Sequence, residues 1–289
     1  MIEVWKASEL AKLCKESGFQ FSKKLGQNFL TDGNIAGKIV EAVCADAAAG
    51  TAVVEIGAGA GALTVPLAQR AARVIAVEFD PRAAALLTRA TEGLENVEIC
   101  IADFLTLLLS AFPRPYRLVG NLPYQITTPI IAKVLEEKNA PLPETMVFMV
   151  QKEVADRLLA PPGGRDYGAI SVLVQYTCET ERICEVSREV FRPRPGVDSA
   201  VIRLKPRGKA GDDAETAAFM FRLVRAGFGM RRKTLRNALM GAAPSESALL
   251  AALAAAEIDP GRRAETLSPR DFYRLAAALQ KDSFLLSES

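Results

Sequence analysis

Four consecutive residues, Asn121-Leu122-Pro123-Tyr124, follow an apolar strand-like run at 116–120 and could prepare an exocyclic amine for attack on an electrophilic methyl group. The amine of a nucleic-acid base such as adenine is a poor nucleophile, because its lone pair is delocalised into the ring. Two acceptors aimed at its N–H groups favour the pyramidal form and turn the lone pair outward, which is positioning plus electrostatic preorganisation. The Asn121 side-chain oxygen and the Leu122 carbonyl are the candidates. Pro123 restricts Leu122 to extended backbone and fixes that carbonyl's direction, and Tyr124 offers a ring on which a base can stack. The same four residues also read as an ordinary strand-to-helix turn, so the elements around them decide.

Upstream, residues 51–56 read as a buried strand running into Gly57-Ala58-Gly59-Ala60-Gly61, with a helical run at 62–70. Glycines let a backbone approach a ligand closely, and the following helix offers free N–H groups. Gly57, Gly59 and Ala62 also satisfy the dinucleotide pattern, so the turn alone fits a nicotinamide enzyme nearly as well. A second strand at 73–77 ends at Glu78, placed for ribose hydroxyls under either cofactor. A third, at 97–102, ends at Asp103-Phe104, where the acid can accept from an adenine amino group or merely cap the next helix. Glu55 within the first strand gives acid-x-Gly-x-Gly-x-Gly, the methyltransferase form of the turn, and the fourth strand delivers Asn121.

Together with Phe21-Ser22-Lys23-Lys24-Leu25-Gly26-Gln27-Asn28-Phe29-Leu30 and Phe191-Arg192-Pro193-Arg194-Pro195-Gly196-Val197-Asp198-Ser199-Ala200, these motifs resemble the ribosomal RNA adenine N6-dimethyltransferases over nearly the whole chain. The Val197-Asp198-Ser199-Ala200-Val201 ending and the helical tail carrying Arg231-Arg232-Lys233-Thr234-Leu235-Arg236 favour the 16S branch. The 23S branch that confers macrolide resistance shares Gln-Asn-Phe and Asn-x-Pro-Tyr and is the alternative, as is a non-catalytic RNA-binding assembly factor. The resemblance implies dimethylation of two adjacent adenosines in a hairpin loop near the 3′ end of 16S RNA, with a role in ribosome biogenesis. It places Asn28, Leu30, Gly57, Gly59, Glu78, Asp103 and Asn121 around S-adenosylmethionine, with Glu78 on the ribose and Asp103 on the adenine amino group. The target base, flipped from its stack, is expected between Tyr124 and Phe191, with Asn121, Leu122 and Pro123 completing the catalytic set.

Composition narrows the classes. At 289 residues and 49% hydrophobic, the chain can bury a large core and an appendage. Its apolar stretches are too short to span a bilayer, and charges stand where a signal peptide would place its apolar segment; a cytoplasmic protein with no membrane partner is expected. The five scattered cysteines suggest neither a disulfide framework nor a zinc site. No histidine occurs, which excludes a Ser-His-Asp triad and the usual catalytic metal clusters, so no metal is expected. Amine methylation tolerates the absence, because the proton on the methylated nitrogen is strongly acidic and water can take it.

A net charge of +2 does not announce a nucleic acid. The distribution says more: residues 219–237 hold Arg222, Arg225, Arg231, Arg232, Lys233 and Arg236 without an acid, Arg188, Arg192 and Arg194 flank Phe191, and Lys23-Lys24 lie in the arm. Such runs are usually solvated helix faces. Beside a base-methylating motif, Lys23, Lys24, Arg192, Arg194, Arg231, Arg232, Lys233 and Arg236 read as phosphate contacts. The partner is then 16S RNA in an immature small subunit, met by a monomer.

The expected architecture is α/β: an arm and Rossmann-like methyltransferase domain over 1–206, then a small all-helical RNA-binding domain over 207–289. Helices are expected at 7–17 and 33–45, and from Asp80-Pro81, Thr128-Pro129 and Ser268-Pro269. Strands are expected at 144–150, 169–177 and 181–187, and a linker at 205–213.

Overall fold

Short runs rich in Val and Ile, buried on both faces, form the centre of a mostly parallel sheet. The computed structural model describes residues 2–137, 140–207 and 213–287. A short strand in the arm, β1 (Phe29–Leu30), precedes β2 (Ala52–Ile56), β3 (Arg73–Glu78), β4 (Val97–Ile101), β5 (Tyr116–Asn121) and β6 (Met146–Gln151), then β7 (Cys178–Val186), β8 (Phe191–Arg192) and β9 (Ser199–Pro206). Seven of them make one sheet, in the order β4-β3-β2-β5-β6-β9-β7, while β1 pairs with β8. Neighbours from β4 to β6 are parallel, and β9 runs antiparallel to β6.

The strand order reverses at β2, which has β3 on one side and β5 on the other. Open sheets of this kind bind ligands outside the carboxyl ends of their strands at such a switch point. Here those ends carry the glycine turn after β2 and Asn121 at the end of β5. Their approach is close: a Cβ on Gly120 would lie 2.5 Å from the Ile56 carbonyl oxygen.

Helices α1 (Ala7–Glu16), α2 (Gly33–Cys44), α3 (Thr64–Ala68), α4 (Pro81–Ala90) and α5 (Thr127–Glu136) accompany this sheet. Asp32 accepts from the Asn34 and Ile35 N–H groups at the head of α2. Asp80 accepts from Arg82 N–H at the head of α4, with Pro81 at its first position. Helix α5 starts two residues earlier than Thr128-Pro129 suggests, at Thr127 rather than Pro129, and has no side-chain cap; the Thr127 hydroxyl donates to the Pro123 carbonyl instead.

By its contacts the chain forms two units, Met1–Ala155 with Glu179–Pro206, and Asp156–Cys178 with Arg207–Ser289. The second is helical: the end of α6 (Lys152–Leu159), then α7 (Ala169–Thr177), α8 (Ala214–Gly229), α9 (Leu235–Leu239), α10 (Glu246–Ala255) and α11 (Pro269–Ser287). Its core gathers Tyr167, Met220, Leu223, Leu239, Leu253 and Phe272. At the start of α11, Ser268 and Asp271 exchange side-chain-to-backbone hydrogen bonds.

Three expectations are corrected. Residues 169–177 form α7 rather than a strand, and 156–178 cluster with the second unit rather than the first. A short continuous apolar run fits either element. Here the Ser171 hydroxyl accepts from Gly168 N–H at the helix head and donates to the Arg157 carbonyl, and Val172 and Tyr176, one turn apart, join the helical core. The strand that joins β6 is instead β9. Arg231, Arg232 and Lys233 occupy the turn between α8 and α9, not a helix face. Of the expected linker, residues 208–212 lie outside the described residues.

Gly120→Ala should destabilise the protein by about 1–3 kcal/mol or more, because a backbone carbonyl cannot yield as a side chain can. Gly37→Ala, exposed in α2 with open space around its Cβ, should stabilise it by roughly 0.5–1 kcal/mol. Denaturant titrations check both. Equal stability of Gly120→Ala and the parent would refute the close approach.

Candidate active site

A cavity of about 280 Å³ opens at the carboxyl ends of β2, β3, β4 and β5. Its lining includes Gly57 and Gly59 from the turn, Glu78 and Phe79 after β3, Asp103 and Phe104 after β4, Asn121, Leu122, Pro123 and Tyr124 after β5, and 24–29 from the arm. The strand register thus collects residues from four separate strand ends, and the arm adds a fifth stretch.

Glu78 is held by the backbone. One carboxylate oxygen accepts from Gly59 N–H at 2.7 Å and the other from Asp80 N–H at 2.8 Å. Burial pushes its carboxyl above the usual range, opposed by those N–H groups. The Phe79 N–H also bears on the carboxylate, which as an ion can accept further bonds beyond these. Gly59 itself has φ +57°, and a Cβ there would stand 3.0 Å from the Phe29 ring, so the turn admits no side chain between itself and the arm. Beneath the turn, Glu55 accepts from the Thr64 hydroxyl at 2.5 Å. Desolvation pushes the Glu55 carboxyl up to about 8; the Thr64 bond opposes the rise and the Glu78 charge adds to it. Asp103 lines the cavity and also caps the following turn, accepting from Leu105 N–H at 2.9 Å.

The arm is fastened across this cradle by Gln27, whose side chain accepts from Ser22 N–H and donates to Asp80 at 2.9 Å. Asn28 donates from its side chain to the Gly26 carbonyl, and its own carbonyl accepts from the Asn121 amide nitrogen at 2.8 Å. That second bond uses an N–H of Asn121, so its side-chain oxygen keeps the capacity to accept. Leu122 donates its N–H to the Met149 carbonyl and buries its side chain, extending the sheet by one residue. Tyr124, half-buried, meets Ser199 through its hydroxyl at 2.9 Å.

Two expected residues stand elsewhere. Phe191 pairs with Leu30 between β8 and β1, is 0% exposed, and packs in the core with Val147 and Val201. It does not line the cavity and presents no ring face to it, because its strand turns the side chain into the core. Leu30 lies in the same core and borders a second cavity of about 30 Å³ beneath the turn, as Glu55 and Asn121 also do. The cavity wall also includes Phe79, which the sequence reading did not single out; it is 58% exposed, while Phe104 is buried against Phe112. An aromatic directly after the acid of the second strand was the available signal.

The basic residues divide by their partners. Lys24 is exposed at the cavity rim, and Lys23 opens a 3-10 turn. Arg192 donates to the Glu189 and Phe191 carbonyls, and Arg194 pairs with Glu189 at 2.9 Å. In the second unit, Arg231 donates to the Arg165 and Tyr167 carbonyls and lies 3.4 Å from Glu265, while Arg236 pairs with Glu246. Arg232 and Lys233 are exposed at the turn.

The family model for ribosomal RNA adenine dimethylases matches residues 18–281. The chain is 44% identical over 284 residues to a ribosomal RNA small subunit methyltransferase A of Bacillus pumilus, covering 94% of this chain and 96% of that protein. It is 46% identical over 274 residues to one from Geobacillus thermodenitrificans, covering 91% and 92%. Among solved structures it resembles a dimethyladenosine transferase from Plasmodium falciparum, with TM-score 0.77 and 27% identity over 88% of this chain and 98% of that one. It also resembles the 23S rRNA methyltransferase ErmE, with TM-score 0.68 and 32% identity over 88% and 100%. These matches decide between the two cofactor readings in favour of S-adenosylmethionine. The cavity itself offers a backbone-held carboxylate, an exposed aromatic in its wall and two glycines of the turn.

The raised Glu55 carboxyl carries a consequence for stability. A group that holds its proton more tightly when folded favours the native state fully below its ordinary value of 4.5 and loses that contribution as pH rises toward about 8. Unfolding free energy should therefore fall across this window, by at most about 1.4 kcal/mol per pH unit. Glu55→Gln, similar in shape and unable to ionise, should gain steadily on the parent from about pH 5 to about pH 8 in denaturant titrations. Parallel stability curves would contradict the shift.

Proposed function

Since the chain belongs to the ribosomal RNA adenine dimethylase family, we propose that it transfers methyl groups from S-adenosylmethionine to N6 of two adjacent adenosines in a hairpin loop near the 3′ end of 16S ribosomal RNA, giving N6,N6-dimethyladenosine. The observation that carries this reading is Asn121, fixed by the Asn28 carbonyl with its oxygen still able to accept, at a strand end beside the glycine turn. The cofactor supplies an electrophilic methyl on a sulfonium whose positive charge disappears on transfer.

The chain's own residues do the rest by placement. Glu78 holds ribose hydroxyls, Asp103 takes the adenine amino group of the cofactor, and Phe79 forms a wall beside that ring. Asn121 and the Leu122 carbonyl accept from the target amine and turn its lone pair toward the methyl group; Pro123 fixes that carbonyl. Tyr124 supplies one stacking face for the flipped base. The proton released by the methylated nitrogen passes to water, which explains why a chain without histidine suffices.

Lys23, Lys24, Arg192 and Arg194 in the first unit and Arg232 and Lys233 in the second are the phosphate contacts of this reading. Arg231 and Arg236 serve folding as well, through their partners. The substrate is an immature small subunit in the cytoplasm, met by a monomer, and the reaction belongs to ribosome biogenesis.

Methyl transfer from labelled donor to purified 16S RNA, immature small subunits and 23S RNA, followed by nucleoside analysis, tests the reading. Dimethyladenosine in the 16S samples is expected; label confined to 23S RNA, or none at all, would overturn it. Asn121→Ala should slow single-turnover transfer by about 10²–10³ while leaving RNA affinity nearly intact. A near-parental rate would remove Asn121 from the chemistry.

The basic turn gives a second test. Arg232→Gln with Lys233→Gln should weaken RNA binding and flatten its salt dependence by about 0.7–0.9 in log–log slope per lost contact, without loss of thermal stability. Arg231→Gln should lower the melting temperature, because it frees two carbonyls of the 165–167 segment. Parental RNA affinity of the double variant across a salt titration would take this turn off the RNA surface.

A further inference from the structure

The 2.9 Å bond between the Tyr124 and Ser199 hydroxyls joins residues 75 apart in the chain. Ser199 is 0% exposed and begins β9, directly opposite Gln151 at the end of β6. Strand β6 in turn flanks β5, where Asn121 stands opposite Met149. The residue before Ser199 is fixed twice over: the Asp198 carbonyl accepts from Lys152 N–H and its carboxylate from Arg188 N–H, each at 3.0 Å. The tether therefore ends on the sheet, while Tyr124 lies in the connection between β5 and α5.

A tyrosine ring has two side-chain torsions, and a bond at its hydroxyl restrains both through the longest lever available. Stacking a base needs only the ring face, which phenylalanine would offer equally. The hydroxyl adds a fixed ring plane. Burial holds the phenol above its usual value, so it keeps its proton and either oxygen can be the donor.

We propose that Ser199 is a positioning residue for methyl transfer: its hydroxyl anchors Tyr124, so that the ring plane is set before the target base arrives. The inference rests on the transferase reading above. Without the anchor, the cost of ordering the ring moves into the step that captures the base, and that step slows by about three- to tenfold.

The test is single-turnover transfer to small-subunit RNA by the parent, Ser199→Ala, Tyr124→Phe and the double variant, with donor affinity and thermal unfolding measured alongside. Each single change should slow transfer about three- to tenfold, the double change should be no slower than the worse single, and donor affinity should stay put. RNA carrying 2-aminopurine at the target position should lose fluorescence on stacking with the parent and lose less with either variant. A parental rate for Ser199→Ala overturns the proposal, as do multiplicative losses in the double variant, which would mark Ser199 as acting through the fold alone. If Ser199→Ala does not fold, Tyr124→Phe removes the same bond, and a parental rate for it overturns the proposal equally. Absence of transfer by the parent sinks the functional reading and this role with it; transfer by the parent with unaffected variants sinks this role alone.

Discussion

The backbones at the carboxyl ends of β2 and β5 approach so closely at Gly120 that no side chain fits between them. The 2.5 Å separation from the Ile56 carbonyl to the Cβ that Gly120 lacks measures that constraint. Because the strand order reverses at β2, these two ends flank the crevice at which an open parallel sheet binds ligands. The glycines of the turn after β2 and Asn121, which ends β5, line the same cavity. Two motifs more than sixty residues apart thereby become adjacent.

The rest of the site holds that adjacency still. Glu78 is tied to the turn through Gly59 and to the next helix through Asp80, so the carboxylate cannot rotate away. The arm closes over the turn because Phe29 fills the space that a Cβ on Gly59 would take, and Gln27 pins it to Asp80. Asn28 then orients Asn121. Glu78 and Asn121 are thus each held by backbone groups, which need no reorganisation when ligands arrive. That is the condition under which fixed dipoles contribute most to a transition state.

Much of this was legible in the sequence because the signals were local. The glycine turn, the acids at strand ends, Asp80-Pro81 and Ser268-Pro269 each announce themselves within a few residues. What stayed hidden depended on distant partners. Residues 169–177 carry an apolar run that fits a strand, and only Ser171 at its head and the aromatic neighbours of Tyr176 make it a helix. Phe191 sits in a motif of basic and proline residues that reads as exposed, yet its pairing with Leu30 sends it into the core. The arginines near 231 read as one charged helix face; Glu265, Glu246 and the carbonyls at 165 and 167 divide them into fastened and exposed groups. The Tyr124 anchor could not be foreseen, since nothing near Tyr124 in sequence names Ser199.

The site depends on Asn121 being oriented before any ligand binds, with its amide nitrogen held on the Asn28 carbonyl. Side-chain amide NMR of the free protein, with Asn121 assigned by its disappearance in Asn121→Ala, reads this directly. The expected result is one Asn121 amide proton that exchanges slowly with solvent and shows coupling across the hydrogen bond to the Asn28 carbonyl carbon. Two Asn121 amide protons that both exchange at the rate of an exposed asparagine, with no coupling to Asn28, would contradict it.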